Sequence, residues 1–368
     1  MNLRFNENIA NKIYWQVCIL LFLSFWGCAP RFTYQYQSFP RPTVQWYALH
    51  LLNHTTDADL QLLETYLDDL ERIGINTLIL EVDYSFSFQS HPELRQGDTP
   101  ITKAAAQKLA QSCREHGIRL IPEFQCFGHQ SWAEQTFPLL TNYPEFDLTP
   151  GAFPGNEGLY CREWNPLDPK LKQIVFDLMD ELIDAFSADA FHVGMDEVFL
   201  IKSEYAKATN QMDPAVVFAN AIKDYHEHLV GNRGIEMLMW GDRLIDCLKY
   251  PYGEWEASCN GTAAAVDLIP NDIIICDWHY EKMETYPSIP MFLEKGFRVL
   301  PASWRNVDAS QTLIRYSIQQ NNVGMLGHLY TIWGGRIDKL INYPPMVEGM
   351  NYFWKYETAK LNQDQVSR

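Results

Sequence analysis

The sequence predicts an α/β protein, a single (β/α)8 barrel, on three observations. Short apolar runs alternate with longer segments of helical period, the pattern of repeated βα units. About eight such units can be counted, the number that closes a barrel. No glycine-rich phosphate loop follows the first apolar run, as the alternative of an open, doubly wound sheet would suggest.

The elements follow in order. Residues 44–52 form the first strand. A helix opening near Asp57 then carries Leu60, Leu63, Leu67 and Leu70 on one face, and Gly74 ends it. Residues 76–82 (NTLILEV) are a continuous apolar strand, 103–116 a helix, and 118–124 a third strand. A Pro-, Gly- and Asn-rich loop, 130–169, is long enough to expect a function of it. The helix 171–186 and strand 190–194 come next, then the helix 214–230 and strand 235–240. Strands 272–278, 298–304 and 323–333 complete the set, with helices near 290–295, 309–320 and 346–356. The domain is expected over 44–358, with a short tail at 359–368.

The first 28 residues stand outside this pattern. Arg4 and Lys12 precede an apolar run, residues 13–26, and then Gly27-Cys28, the layout of an export signal. Cys28 after Gly27 resembles a lipoprotein cleavage site, although Phe25 and Trp26 are poor matches to the residues usual there. The expectation is an exported protein, periplasmic or at the cell surface, anchored to the membrane at Cys28 and touching it nowhere else. Residues 29–43 are a linker. The formal net charge of −17 and the lack of any Lys/Arg run exclude a phosphate-tracking surface, so nucleic acid is not an expected partner. No C-x-x-C or close Cys/His spacing points to a metal; export would permit disulfides, whose pairing the sequence leaves open.

In such a barrel the polar residues at the C-terminal strand ends are the functional ones. Strand four ends in Asp196 and Glu197, adjacent carboxylates after an apolar run; burying both unpaired would cost several kcal/mol. Ordinary retaining glycosidases hold two carboxyls about 5 Å apart across the scissile bond, which neighbours on a strand do not match. A different division of labour suits them. Glu197 protonates the leaving oxygen, while Asp196 orients and stabilises a nucleophile carried by the substrate, a 2-acetamido oxygen. Trp240, Trp278, Trp304 and Trp333 fall at or near the ends of strands five to eight and make four aromatic walls of a sugar-sized pocket, with Asp242 and Tyr280 adding hydrogen bonds. His129 is a candidate to hold a carboxylate or touch a sugar hydroxyl, and Glu81 and Asp83 are candidate hydroxyl acceptors. His192 reads as support.

These residues resemble glycoside hydrolase family 20, the β-N-acetylhexosaminidases. The strand-four signature H-x-G-x-D-E-V is His192 to Val198 here; Ile121 to His129 is similar to the family's strand-three P-E…G-H segment, and Met239-Trp240-Gly241-Asp242 to its strand-five motif. The resemblance implies that Asp196 polarises the acetamido group, that Glu197 is acid and then base through an oxazolinium intermediate, and that Tyr280 hydrogen-bonds the acetamido oxygen. It implies a glycan or amino-sugar substrate with terminal β-linked N-acetylglucosamine or N-acetylgalactosamine, and no metal or organic cofactor. Strand one has no Arg, strand eight ends Trp333-Gly334-Gly335 instead of in an acidic residue, and Gln125 stands where Asp is common. These departures, with no small domain before the barrel, resemble the hexosaminidase D branch. An endo-acting or modified-sugar enzyme of the same mechanism, and a non-catalytic carbohydrate-binding barrel, stay open as alternatives.

Overall fold

The computed structural model describes residues 45–366; the export segment 1–28 and the linker 29–43 lie outside the described residues. Eight parallel strands close a barrel: β1 (Trp46–Leu51), β2 (Thr77–Glu81), β3 (Arg119–Cys126), β4 (Ala190–Gly194), β5 (Glu236–Trp240), β6 (Ile274–Trp278), β7 (Arg298–Ser303) and β8 (Gly327–Ile332). β1 pairs with β8 from Trp46↔Gly327 to Leu51↔Ile332 and with β2 on its other side, which excludes the open sheet.

Each strand sends apolar side chains into one interior cluster: Ala48, Ile79, Ile121, Ala190, Leu238, Ile274, Leu300 and Leu329 are all buried there. The opposite faces pack on helices, so both sides of each strand are apolar, which explains the unbroken hydrophobic runs. Helix starts carry local signals. Thr56 and Asp59 form a reciprocal capping box at α1 (Asp57–Glu64), which a two-residue break separates from α2 (Leu67–Ile73), ended by Gly74 in the left-handed region. Thr102 caps α3 (Lys103–Glu115). Asp168 and Asp213, each followed by Pro at the first helical position, cap α4 (Pro169–Phe186) and α5 (Pro214–His226).

The α1–α2 break is one departure from the sequence reading, and the rest of the barrel adds detail to it. α5 gives way to a π-helical turn at Glu227–Asn232. After β5 the layer is the 3-10 segment Thr262–Asp267. α6 (Ser288–Glu294) and α7 (Val307–Gln319) lie where expected, but β8 starts at Gly327, because Met325 N donates back to the Asn322 carbonyl in a turn just before it. The last helix, α8 (Pro344–Val366), runs through the expected tail. Among the described residues no helix is long and apolar enough to cross a membrane.

The end of β4 is the tightest point of the barrel. Gly194 has φ +64°, and a Cβ there would meet Gln125 Oε1 at 1.8 Å and Cδ at 2.7 Å. Gly194→Ala should therefore destabilise the protein by roughly 2–4 kcal/mol, strain and overpacking together, as read by urea unfolding; an unchanged midpoint would contradict the packing described.

Candidate active site

Backbone strain gathers at the ends of β2, β3 and β4. Asp83, Phe127, His129, Met195 and Glu197 all have positive φ without being glycine. Such conformations cost about 1–3 kcal/mol each and persist where surrounding contacts enforce them. Here the enforcing contacts are visible: Glu197 N donates to Asp242 Oδ2 at 2.9 Å, and Phe199 N and Leu200 N both donate to the buried Glu163 carboxylate.

That backbone turns both carboxylates toward His129. Its Nε2 lies 3.3 Å from Asp196 Oδ2 and 3.2 Å from Glu197 Oε2, and its Nδ1 is 3.4 Å from Cys161 Sγ. Burial disfavours the imidazolium, but Asp196 and then Glu197 outweigh it and hold the His129 pKa well above its ordinary value. Asp196 Oδ1 is buried with no hydrogen-bond partner. Glu197 Oε2 also accepts the Tyr160 hydroxyl at 2.6 Å.

The aromatic residues divide into a wall and a support. Trp278 stacks on Tyr280 with centroids 4.8 Å apart, Tyr280 meets Trp304 at 5.4 Å, and the Tyr280 hydroxyl accepts Trp333 Nε1–H at 2.8 Å. These four form one group. Trp240 lies behind it: the ring is fully buried against Trp333, His50 and His192, and its indole N–H is spent on Glu123 Oε1 at 3.1 Å. Trp240 thus has no exposed face to offer a sugar and serves as support for the wall expected of it. Asp242 is likewise buried; its carboxylate takes Glu197 N–H, Trp278 Nε1–H and Arg243 Nε–H, so it positions Glu197 and Trp278. Asp83 is half-buried and commits Oδ1 to Gln125 N at 2.8 Å.

Beneath Trp240 lies a charged cluster that sequence reasoning missed as a unit. Glu123 Oε2 is 2.8 Å from His50 Nε2, Glu123 Oε1 is 2.9 Å from His192 Nδ1, and Glu81 Oε2 is 3.4 Å from His50 Nε2. Burial alone would push Glu123 up, but His192 and His50 hold it down to about 2; burial alone would lower His50, but Glu123 and Glu81 raise it to about 10. Among the described residues, His50/Glu81/Glu123, His129/Asp196/Glu197 and a surface set of Asp68, Glu71 and His116 are the groups close enough to hold a metal ion. In the first two the imidazoles already face the carboxylates as ion-pair partners.

Sequence reasoning also missed Tyr160, Trp132 and Trp255, although the first two lie in the long loop 130–169, of which a function is expected. Other unforeseen parts are the buried Arg162 and Arg243 and the Cys247–Cys259 disulfide, with Cα atoms 5.4 Å apart. Sequence spacing carries no signal for any of these long-range contacts.

Fold and site together are those of a glycoside hydrolase catalytic domain. The model of the glycosyl hydrolase family 20 catalytic domain matches residues 80–311, and the chain belongs to that family. A β-hexosaminidase of Emericella nidulans is 23% identical over 274 residues, 66% of this chain and 40% of its own length. A lacto-N-biosidase of Bifidobacterium bifidum is 22% identical over 201 residues, 50% of this chain and 16% of its own. The chain therefore spans less than half the length of either relative. Among solved structures, a β-N-acetylhexosaminidase from Bacteroides fragilis superimposes with a TM-score of 0.60 at 13% identity, covering 89% of this chain and 72% of that one; at that identity the likeness is one of fold.

The buried charges set a pH dependence. His50 is raised from 6.5 to about 10, so its contribution to stability is complete below pH 6.5 and is lost as pH rises through 10. Glu163, raised by burial from 4.5 to about 8, is favoured as the neutral acid, and its contribution, complete below pH 4.5, is lost as pH rises through 8. The thermal midpoint should fall steadily between pH 6.5 and 10, with a shallower fall in His50→Gln; a flat profile in the wild type would show that these groups do not hold their protons as described.

Proposed function

We propose that the protein is a retaining, substrate-assisted glycosidase that removes terminal β-linked N-acetylhexosamine, N-acetylglucosamine or N-acetylgalactosamine, from glycans. The observation that carries this reading is the division of labour between two adjacent carboxylates. Asp196 keeps a buried, unpartnered Oδ1 that an acetamido N–H would satisfy, while Glu197 keeps its carboxyl at the loop-facing side under Tyr160.

The steps follow from those positions. The substrate's acetamido oxygen attacks C1 and the C1–O bond breaks, with Glu197 giving its proton to the departing oxygen. Asp196 accepts the acetamido N–H and stabilises the positive charge that develops on the oxazolinium. A water then attacks C1, Glu197 takes its proton, and the ring opens to N-acetylhexosamine with its original configuration. His129, bridging both carboxylates, keeps them in register. Trp278, Tyr280, Trp304 and Trp333 enclose the acetamido methyl and the apolar sugar face, with the Tyr280 hydroxyl as donor to the acetamido oxygen.

The hexosaminidase D branch is the reading we favour within the family. β1 offers no Arg, its inward polar residue being His50, committed to Glu123, and β8 runs into Trp333-Gly334-Gly335. Export and lipid attachment at Cys28 rest on residues 1–28, and the Cys247–Cys259 disulfide accords with an oxidising compartment. Labelling of the full chain with a radioactive fatty acid in a bacterial host should be lost in Cys28→Ser.

Aryl β-N-acetylglucosaminide and β-N-acetylgalactosaminide, given to the protein without residues 1–28, test the activity. The corresponding β-glucoside should be turned over at least about a thousandfold more slowly, since it lacks the nucleophile; equal rates would sink the mechanism. Glu197→Gln should lose about 10²–10⁴-fold in kcat/KM on sugars with poor leaving groups and much less on activated aryl glycosides.

A further inference from the structure

Three large aromatic side chains stay in solvent beside the catalytic acid. Trp132 is 59% exposed, Tyr160 38% and Trp255 45%. They touch edge to face, Trp132–Tyr160 at 6.0 Å and Tyr160–Trp255 at 4.9 Å, with the half-buried Phe199 against both Tyr160 (5.9 Å) and Trp255 (5.3 Å). Exposed apolar surface gathered in one place signals a binding face. This group is distinct from Trp278, Tyr280, Trp304 and Trp333, which pack with Asp242 and Trp240.

The loops that carry the three rings are fixed by buried guanidinium groups. Arg243 donates to the carbonyls of Glu254 (2.7 Å), Trp255 (2.7 Å) and Ala257 (3.0 Å), and its Nε to Asp242. Glu256 is bound by His279 Nδ1 at 2.7 Å, and Cys247–Cys259 closes the same loop. In the loop after β3, Arg162 binds Asp147, the Phe153 carbonyl and Asn156 Oδ1, while its backbone N–H donates to Ser131 Oγ beside Trp132. Two buried arginines thus hold in place loops whose aromatic side chains remain in water, and rings fixed in that way are preorganised for a ligand.

Position identifies the ligand. The Tyr160 hydroxyl donates to Glu197 Oε2, the carboxyl that must reach the leaving oxygen. The aromatic group thus begins where the leaving group begins. Resting on the reading of Glu197 as the acid, we propose that Trp132, Tyr160 and Trp255 form a platform for a pyranose ring on the leaving-group side. The natural substrate is then an oligosaccharide in which N-acetylhexosamine is attached to another sugar, since apolar pyranose faces stack on such rings.

The experiment compares two donors that share the transferred sugar. β-N-acetylglucosaminyl fluoride has a leaving group too small to stack, and disaccharides with β1,3-, β1,4- or β1,6-linked N-acetylglucosamine at the non-reducing end carry a second ring. Trp255→Ala and Trp132→Ala should lower kcat/KM on the best disaccharide by about tenfold or more, yet change it less than about twofold on the fluoride. Equal loss on both donors would make the rings structural, and no loss on either would leave them without a role in turnover; both results overturn the platform. So does a wild-type enzyme that cleaves the fluoride but cleaves no disaccharide faster than methyl β-N-acetylglucosaminide. Wild-type protein inert toward every donor sinks the hydrolase reading itself, and the platform with it.

Discussion

The Asp242 carboxylate is the joint on which the active site turns. It accepts the backbone N–H of Glu197 at the end of β4, the indole N–H of Trp278 at the end of β6, and Nε of Arg243, whose other nitrogen gathers the loop bearing Trp255. One buried anion thus fixes the backbone of Glu197, the indole of Trp278 and, through Arg243, the loop bearing one exposed ring. Burial pushes its pKa up to about 6, with Arg243 pulling the other way and Asp196 adding to the rise. A carboxylate so placed holds its shape only while all three donors are present, which makes neighbouring loops interdependent with the chemistry.

The barrel itself was legible because its cause is local. Strands buried on both faces must be apolar throughout, and helices must show a 3.6 period and capped ends; both leave marks in short windows of sequence. Asp196 and Glu197 were legible for a related reason, since two carboxylates after Phe191-His192-Val193-Gly194-Met195 have no structural excuse. What escaped notice depends on distance in the chain. Trp240 looks in sequence like Trp278 or Trp304, at the end of a strand, and nothing local says that Glu123, 117 positions earlier, will claim its N–H and Trp333 will cover its ring. Tyr160 sits 37 residues before Glu197, the carboxylate it touches, and Arg162 and Arg243 read as ordinary surface cations until the loops fold around them.

The glycine of the H-x-G-x-D-E segment shows how packing can write a motif. Gln125, on β3 beside β4, lies so close to Gly194 that a Cβ there would meet its Oε1 at 1.8 Å, and Asp196 and Glu197 follow on the other side of Met195. Gln125 N is in turn held by Asp83. The strand ends are braced sideways, from β2 to β3 to β4, and the left-handed turns at Met195 and Glu197 are the geometry that results.

The disulfide gives this arrangement a dependence on surroundings. Cys247 and Cys259, 12 positions apart, close a ring around Trp255, and a bond over a loop of that size restricts the unfolded chain by about 3 kcal/mol. The carboxylates, His129 and the Trp278–Trp333 wall sit outside that ring. Reduction would therefore release a constraint on the loop bearing Trp255, and because Arg243 ties carbonyls of that loop to Asp242, and Asp242 holds the backbone N–H of Glu197, the slack would reach the end of β4.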